Sequence, residues 1–69
     1  MMATDYALGV QAGHADYVSG EPMSPQIYRE KLERSFRRAA EFHGAQDLDE
    51  FARGYREGRD DAVMDDEEA

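Results

Sequence analysis

Apolar and polar residues alternate along this chain with helical spacing in three stretches, separated by two breaks. In the first stretch, about residues 5–18, Tyr6, Val10, Gly13 and Tyr17 recur at steps of four, three and four, one face of a helix. Thr4 suits its N-cap. Ser19-Gly20-Glu21-Pro22 supplies the stop, with Gly fit for the position after a helix and Pro22 unable to continue one.

The second stretch, residues 25–43, has the clearest start: Ser24 as N-cap and Pro25 at the first helical position, where its missing N–H costs nothing. Its apolar stripe is Tyr28, Leu32, Phe36, Ala39 and His43, flanked by Ile27, Ser35 and Phe42. Glu30 with Arg34 and Glu33 with Arg37 are i,i+4 pairs in the favourable order. Gly44 ends it. The third stretch, about residues 47–64, opens with Asp47 and Glu50 in a capping-box spacing and continues through Leu48, Phe51, Tyr55, Gly58 and Ala62. Asp65, Asp66, Glu67 and Glu68 follow, and four acids at a helix C-terminus oppose its dipole, which predicts fraying.

The first and third stretches read alike at an offset of 45 residues. Tyr6-Ala7-Leu8-Gly9 matches Phe51-Ala52-Arg53-Gly54, and Gly13, Asp16 and Val18 match Gly58, Asp61 and Val63. Both duplication and convergence on one packing solution account for this. Each copy carries a Gly-x-x-x-Gly pair, Gly9 with Gly13 and Gly54 with Gly58. An interior helical glycine costs ~1 kcal/mol relative to alanine, so the four weaken these helices in isolation. Residues four apart share a face, and the pairs therefore predict a smooth groove for another backbone, inside or outside the chain. Their charged flanks rule out a membrane dimerisation motif.

Length sharpens the point. Sixty-nine residues make one domain with a small core, and such scaffolds need a staple. Without cysteine there are no disulfides and no thiolate metal sites, and His14 and His43 are too few for a histidine zinc site. A partner subunit is the expected staple. Residues 1–15 lack Lys, Arg and any long apolar run, which argues against a secretory signal, and nothing downstream resembles a membrane span. A cytoplasmic location is expected.

The net charge of −8 opposes direct binding to nucleic acid or anionic membrane. It is unevenly spread: residues 25–44 hold five basic and three acidic side chains, residues 45–69 ten acids and three arginines. No phosphate loop, metalloprotease motif or calcium loop is present. His14 and Asp16 sit two apart and would not face each other on a helix. No catalytic, cofactor or metal site, and no small-molecule substrate, is expected.

These observations predict an all-α protein, a small three-helix bundle forming one helical domain over residues 1–64, with a frayed acidic tail over 65–69. The expected role is non-enzymatic: an adaptor, inhibitor or assembly subunit that binds another protein or itself, with a homodimer the simplest assembly. The binding faces would be Tyr6, Gly9, Val10, Gly13 and Tyr17 on the first helix and Phe51, Gly54, Tyr55 and Gly58 on the third. A second expectation is an acidic DNA mimic that occupies a nucleic-acid-binding protein through Asp60, Asp61, Asp65, Asp66, Glu67 and Glu68. Small acidic inhibitors made by phages share this size and charge, a compositional likeness that covers no motif.

Overall fold

A computed structural model describes residues 4–68. Within them the chain forms α1 (Asp5–Asp16), α2 (Pro25–His43) and α3 (Leu48–Glu68), a three-helix bundle with no strand among the described residues. Each helix starts on the side chain the sequence offers. Thr4 Oγ1 accepts from the Ala7 N–H at 3.1 Å, Ser24 Oγ from Ile27 at 3.2 Å and Asp47 Oδ1 from Glu50 at 3.2 Å. Gly44, at φ 72°, closes α2 in the left-handed conformation, and Ala45 N–H returns to the Ala39 carbonyl at 3.2 Å.

Two helix ends differ from the sequence expectation. Helix α1 stops at Asp16, two residues before Val18, because Tyr17 turns to extended backbone. Gly20 (φ 76°) then serves the turn between α1 and α2. Helix α3 continues to Glu68, so residues 65–68 are helical where a frayed tail was expected. The physical reason lies across the bundle: Asp66 accepts hydrogen bonds from the Tyr17 hydroxyl at 2.9 Å and the Ser19 hydroxyl at 2.7 Å. These contacts offset the unfavourable dipole. Ala69 lies outside the described residues. The capping box is also divided: Asp5 of α1, not Glu50, takes the Gln46 and Asp47 N–H groups, at 3.1 and 2.7 Å.

Helix direction follows from the contacts. Gly9 lies against Phe51, and Gly13 against Tyr55, so α1 and α3 run parallel. Tyr28 meets Tyr55 while Phe36 meets Phe51, so α2 runs back antiparallel. Phe51 and Tyr55 are 0% exposed and form the centre of the core. Their rings receive Phe36 and Tyr28 edge-on, with centroids 5.3 and 5.6 Å apart. Leu8, Ala39 and Ala45 complete the buried cluster, and Leu32 and Ala12 pack against it. The α2 stripe thus does what its spacing implies through Tyr28, Leu32, Phe36 and Ala39, while His43 stays exposed.

Candidate interaction surface

The four seam glycines meet each other's helices. A Cβ on Gly9 would lie 2.1 Å from the Phe51 carbonyl oxygen, and one on Gly13 the same distance from that of Tyr55. A Cβ on Gly54 would lie 2.0 Å from the Tyr6 oxygen, and one on Gly58 2.1 Å from that of Val10. No side chain fits at such distances. The hydrogen that replaces each Cβ points at a carbonyl, the geometry of a weak Cα–H···O bond, each contributing on the order of 0.5–1 kcal/mol.

Adding 45 to every α1 number in these contacts generates the α3 member of the set. Gly9 on Phe51 becomes Gly54 on Tyr6, and Gly13 on Tyr55 becomes Gly58 on Val10. The 45-residue likeness is therefore the sequence image of a local two-fold axis running between two parallel helices. Such an axis requires identity only at the seam. Away from it, α2 covers one side of the pair and not the other, and the copies diverge accordingly. Phe51 and Tyr55 are buried under α2, whereas their counterparts Tyr6 and Val10 are half-buried. Leu8 is buried, whereas its counterpart Arg53 is exposed.

Of the residues that the sequence marks as binding faces, the glycines, Phe51 and Tyr55 are thus enclosed within the chain. Tyr6, Val10 and Tyr17 keep partial exposure, and Tyr17 sits just past the end of α1. What faces outward is different. Phe42 is 69% exposed, Met64 59%, Val18 56% and Leu48 44%. Phe42 borders a groove of about 340 Å³ between α1 and α2. Alanines 12, 15 and 39 and Leu8 line it, and their short side chains leave the two helices incompletely filled in. Because α1 and α2 are antiparallel, Phe42 and His43 lie at one end, with Asp16 and Ser35 at the other and Arg38 between.

Asp16 is the polar centre that the sequence did not single out. Its Oδ2 accepts from the Tyr55 hydroxyl at 2.8 Å and the Ser35 hydroxyl at 2.5 Å, joining all three helices. Lys31 reaches the Asp16 carbonyl at 3.4 Å and pairs with Glu21 at 2.7 Å, both side chains being largely shielded. Burial, and then the bond to Asp16, raise the Tyr55 hydroxyl well above the ordinary tyrosine value. Arg59 lies over the rings of Tyr17 and Tyr28 at 6.0 and 5.7 Å, and among the described residues its Nη1 has no hydrogen-bond partner. Spacing alone hides this cluster, since Asp16, Ser35 and Tyr55 come from three separate helices.

The acids of α3 stand on ordered helix. Glu57, Asp61 and Asp65 follow steps of four, so they share a face, with Asp60 and Glu67 to one side of it and Asp66 turned toward Tyr17 and Ser19, all exposed. His14 of α1 approaches Asp65 at 3.5 Å. Among the described residues no three His, Asp or Glu side chains are grouped to hold a metal ion. None of the described helices is long and apolar enough to cross a membrane.

No protein-family model, curated protein or solved structure matches this chain.

Proposed function

We propose that this chain is a small non-enzymatic interaction protein of the cytoplasm, an adaptor, inhibitor or assembly subunit. The carrying observation is Phe42. A phenylalanine two-thirds exposed, beside an open alanine-lined groove, is a costly surface for a lone bundle this small and a suitable anchor for a partner. The glycine faces hold the bundle together, and the aromatic face that meets the partner is the outer one around Phe42. Burial of apolar surface there predicts salt-resistant binding.

The test is a tagged capture from nuclease-treated lysate, washed at low and high salt, with the parent chain and Phe42→Asp side by side. Recovery of a protein, or of untagged copies of the chain, that survives high salt and is lost with Phe42→Asp supports the reading. Capture that ignores the substitution, or no capture at either salt, sinks it.

A second reading is favoured by the ordered end of α3: an acidic inhibitor that imitates nucleic acid. A mimic needs its carboxylates on a fixed scaffold, and α3 carries them in helical register through Asp65. Attraction of this kind raises association rate and falls with salt. Replacing Asp60, Asp61 and Asp65 with Asn would then weaken capture steeply at low salt. A partner indifferent to both salt and these substitutions excludes it.

A further inference from the structure

Helix α3 carries within itself both halves of the seam that α1 completes. Gly54 and Gly58 offer the bare faces, and Phe51 and Tyr55 offer the carbonyl oxygens that Gly9 and Gly13 approach. The reciprocity extends to the amides: a Cβ on Gly9 would lie 2.8 Å from the Tyr55 nitrogen, and one on Gly54 3.0 Å from the Val10 nitrogen. All of these are backbone atoms, so the seam selects its partner by glycines in register. A two-fold interface requires that each contact have its reciprocal in the same element. A second copy of α3 meets that condition.

The groups that anchor α1 also recur in α3 at the 45-residue offset. Two carboxylates hold α1: Asp5 takes the Gln46 and Asp47 N–H groups, and Asp16 the Tyr55 and Ser35 hydroxyls. Their counterparts are Glu50 and Asp61, both carboxylates, and Asp61 is exposed. Against α2 the fit of α1 is incomplete, since Ala12 and Ala15 leave the groove of about 340 Å³ beside Arg38. The counterparts there are Glu57 and Asp60, larger side chains of charge opposite to Arg38. One core residue opposes an exchange: Leu8 is 7% exposed, and its counterpart is Arg53. Leu8 and the short connection over residues 17–24 are what favour α1 as the occupant.

We propose that α3 is a self-complementary dimerisation helix and that α1 is its intramolecular cap. When α1 leaves, two chains pair α3 on α3 through the Gly54 and Gly58 seam, parallel and about a two-fold axis. Each α2 stays on its own Phe51 and Tyr55 and covers one side of the pair, so the side left open in the single chain is covered as well. Asp61 of the second copy replaces Asp16 toward Tyr55 and Ser35, and its Glu57 and Asp60 face Arg38. This goes beyond the Phe42 reading and stands or falls separately from it.

Sedimentation equilibrium of the full chain, parent and Leu8→Arg, from micromolar to millimolar concentration tests this, with amide exchange on the same samples. Only the fraction with α1 released can dimerise. Losing the packing of a buried leucine raises that fraction at least about tenfold, so the dissociation constant should fall by at least as much. Leu8→Ala, which keeps α1 apolar, should move the constant in the same direction. In the dimer, residues 5–16 should exchange freely while α3 stays protected. Adding Asp61→Ala to Leu8→Arg should raise the constant about tenfold, because the Tyr55 and Ser35 hydroxyls lose their acceptor. Removing a negative charge from a chain at −8 would by itself ease association, and Glu41→Ala, an exposed acid of α2, controls for that. Both Leu8 variants monomeric at millimolar concentration overturn the proposal. So does a dimer that keeps α1 protected, which is an exchange of α1 between copies, or one that Asp61→Ala and Glu41→Ala affect alike.

Discussion

Gly9 and Gly54 occupy equivalent places on two parallel helices: a Cβ on the first would lie 2.1 Å from the Phe51 carbonyl oxygen, and one on the second 2.0 Å from that of Tyr6. The relationship is reciprocal, and it is repeated one turn later by Gly13 and Gly58. Two backbones approach this closely only if both surrender their side chains. The energetic consequence is opposite to that of glycine in a free helix. There each glycine is a loss; here it permits the contact that keeps α1 on the bundle.

Gly13→Ala is therefore expected to destabilise, although the same exchange in an open helix would stabilise by ~1 kcal/mol. The new methyl must push α1 and α3 apart, at a net cost of about 1–3 kcal/mol, against the roughly 3–5 kcal/mol available to a core of this size. Gly20→Ala is the control: nothing lies near its added Cβ, and only its φ of 76° opposes the change. Urea midpoints followed by circular dichroism would check the pair. A Gly13→Ala protein as stable as the parent would show that α1 does not dock through this seam.

Tyr55→Phe removes the buried hydroxyl that Asp16 accepts, at an expected cost of about 1–2 kcal/mol. The pH dependence is more telling. The folded-state pKa of Tyr55 lies above the unfolded value of about 10. Its contribution is thus fully present below pH 10 and is lost as the pH climbs past that point, where the unfolded chain releases the proton first. Unfolding midpoints at pH 8 and pH 11 should differ more in the parent than in Tyr55→Phe. Identical alkaline slopes would contradict the burial of this hydroxyl.

Asp66 anchors the end of α3. The bonds from Ser19 and then Tyr17 lower its pKa, so its hold exists above about pH 3.9 and is lost as the pH falls through the depressed folded value. Tyr17 is raised in turn, chiefly by the bond to Asp66. Asp66→Ala should speed amide exchange in residues 65–68 at neutral pH and leave the global unfolding midpoint nearly unchanged, because the site is exposed. Exchange as fast in the parent as in the variant would mean that the last turn frays with or without its tether.

Asp5→Ala tests a connection between two helix starts. Asp5 Oδ2 holds the Gln46 and Asp47 N–H groups, so its loss should cost about 1 kcal/mol, in the range of an N-cap deletion. Fraying of the first turn of α3, seen as faster exchange at Asp47–Phe51, would accompany it. Loss of stability confined to α1 would instead indicate that Asp5 serves only its own helix.

The helices and their starts were legible because capping is local. Thr4, Ser24 and Asp47 each accept an N–H three residues ahead, and a bond of that reach is encoded within a few letters of sequence. Smooth glycine faces fit for another backbone, inside or outside the chain, were legible as well, because residues four apart share a side of the helix. The helical end of α3 was not. The dipole argument at Asp65–Glu68 is sound locally, but Tyr17 and Ser19, separated from Asp66 by 49 and 47 residues, outweigh it.

The sequence by itself determined that there are three helices, where they begin, that α2 is amphipathic and that α1 and α3 carry smooth faces, because propensity, capping and periodicity act within one or two turns. Only the tertiary structure decided that those smooth faces are spent on each other, that Asp16 binds three helices together and that Phe42 is left beside an unfilled groove. These depend on which way each helix is turned when the chain closes, and in so small a bundle that is set by contacts between residues some twenty to fifty positions apart.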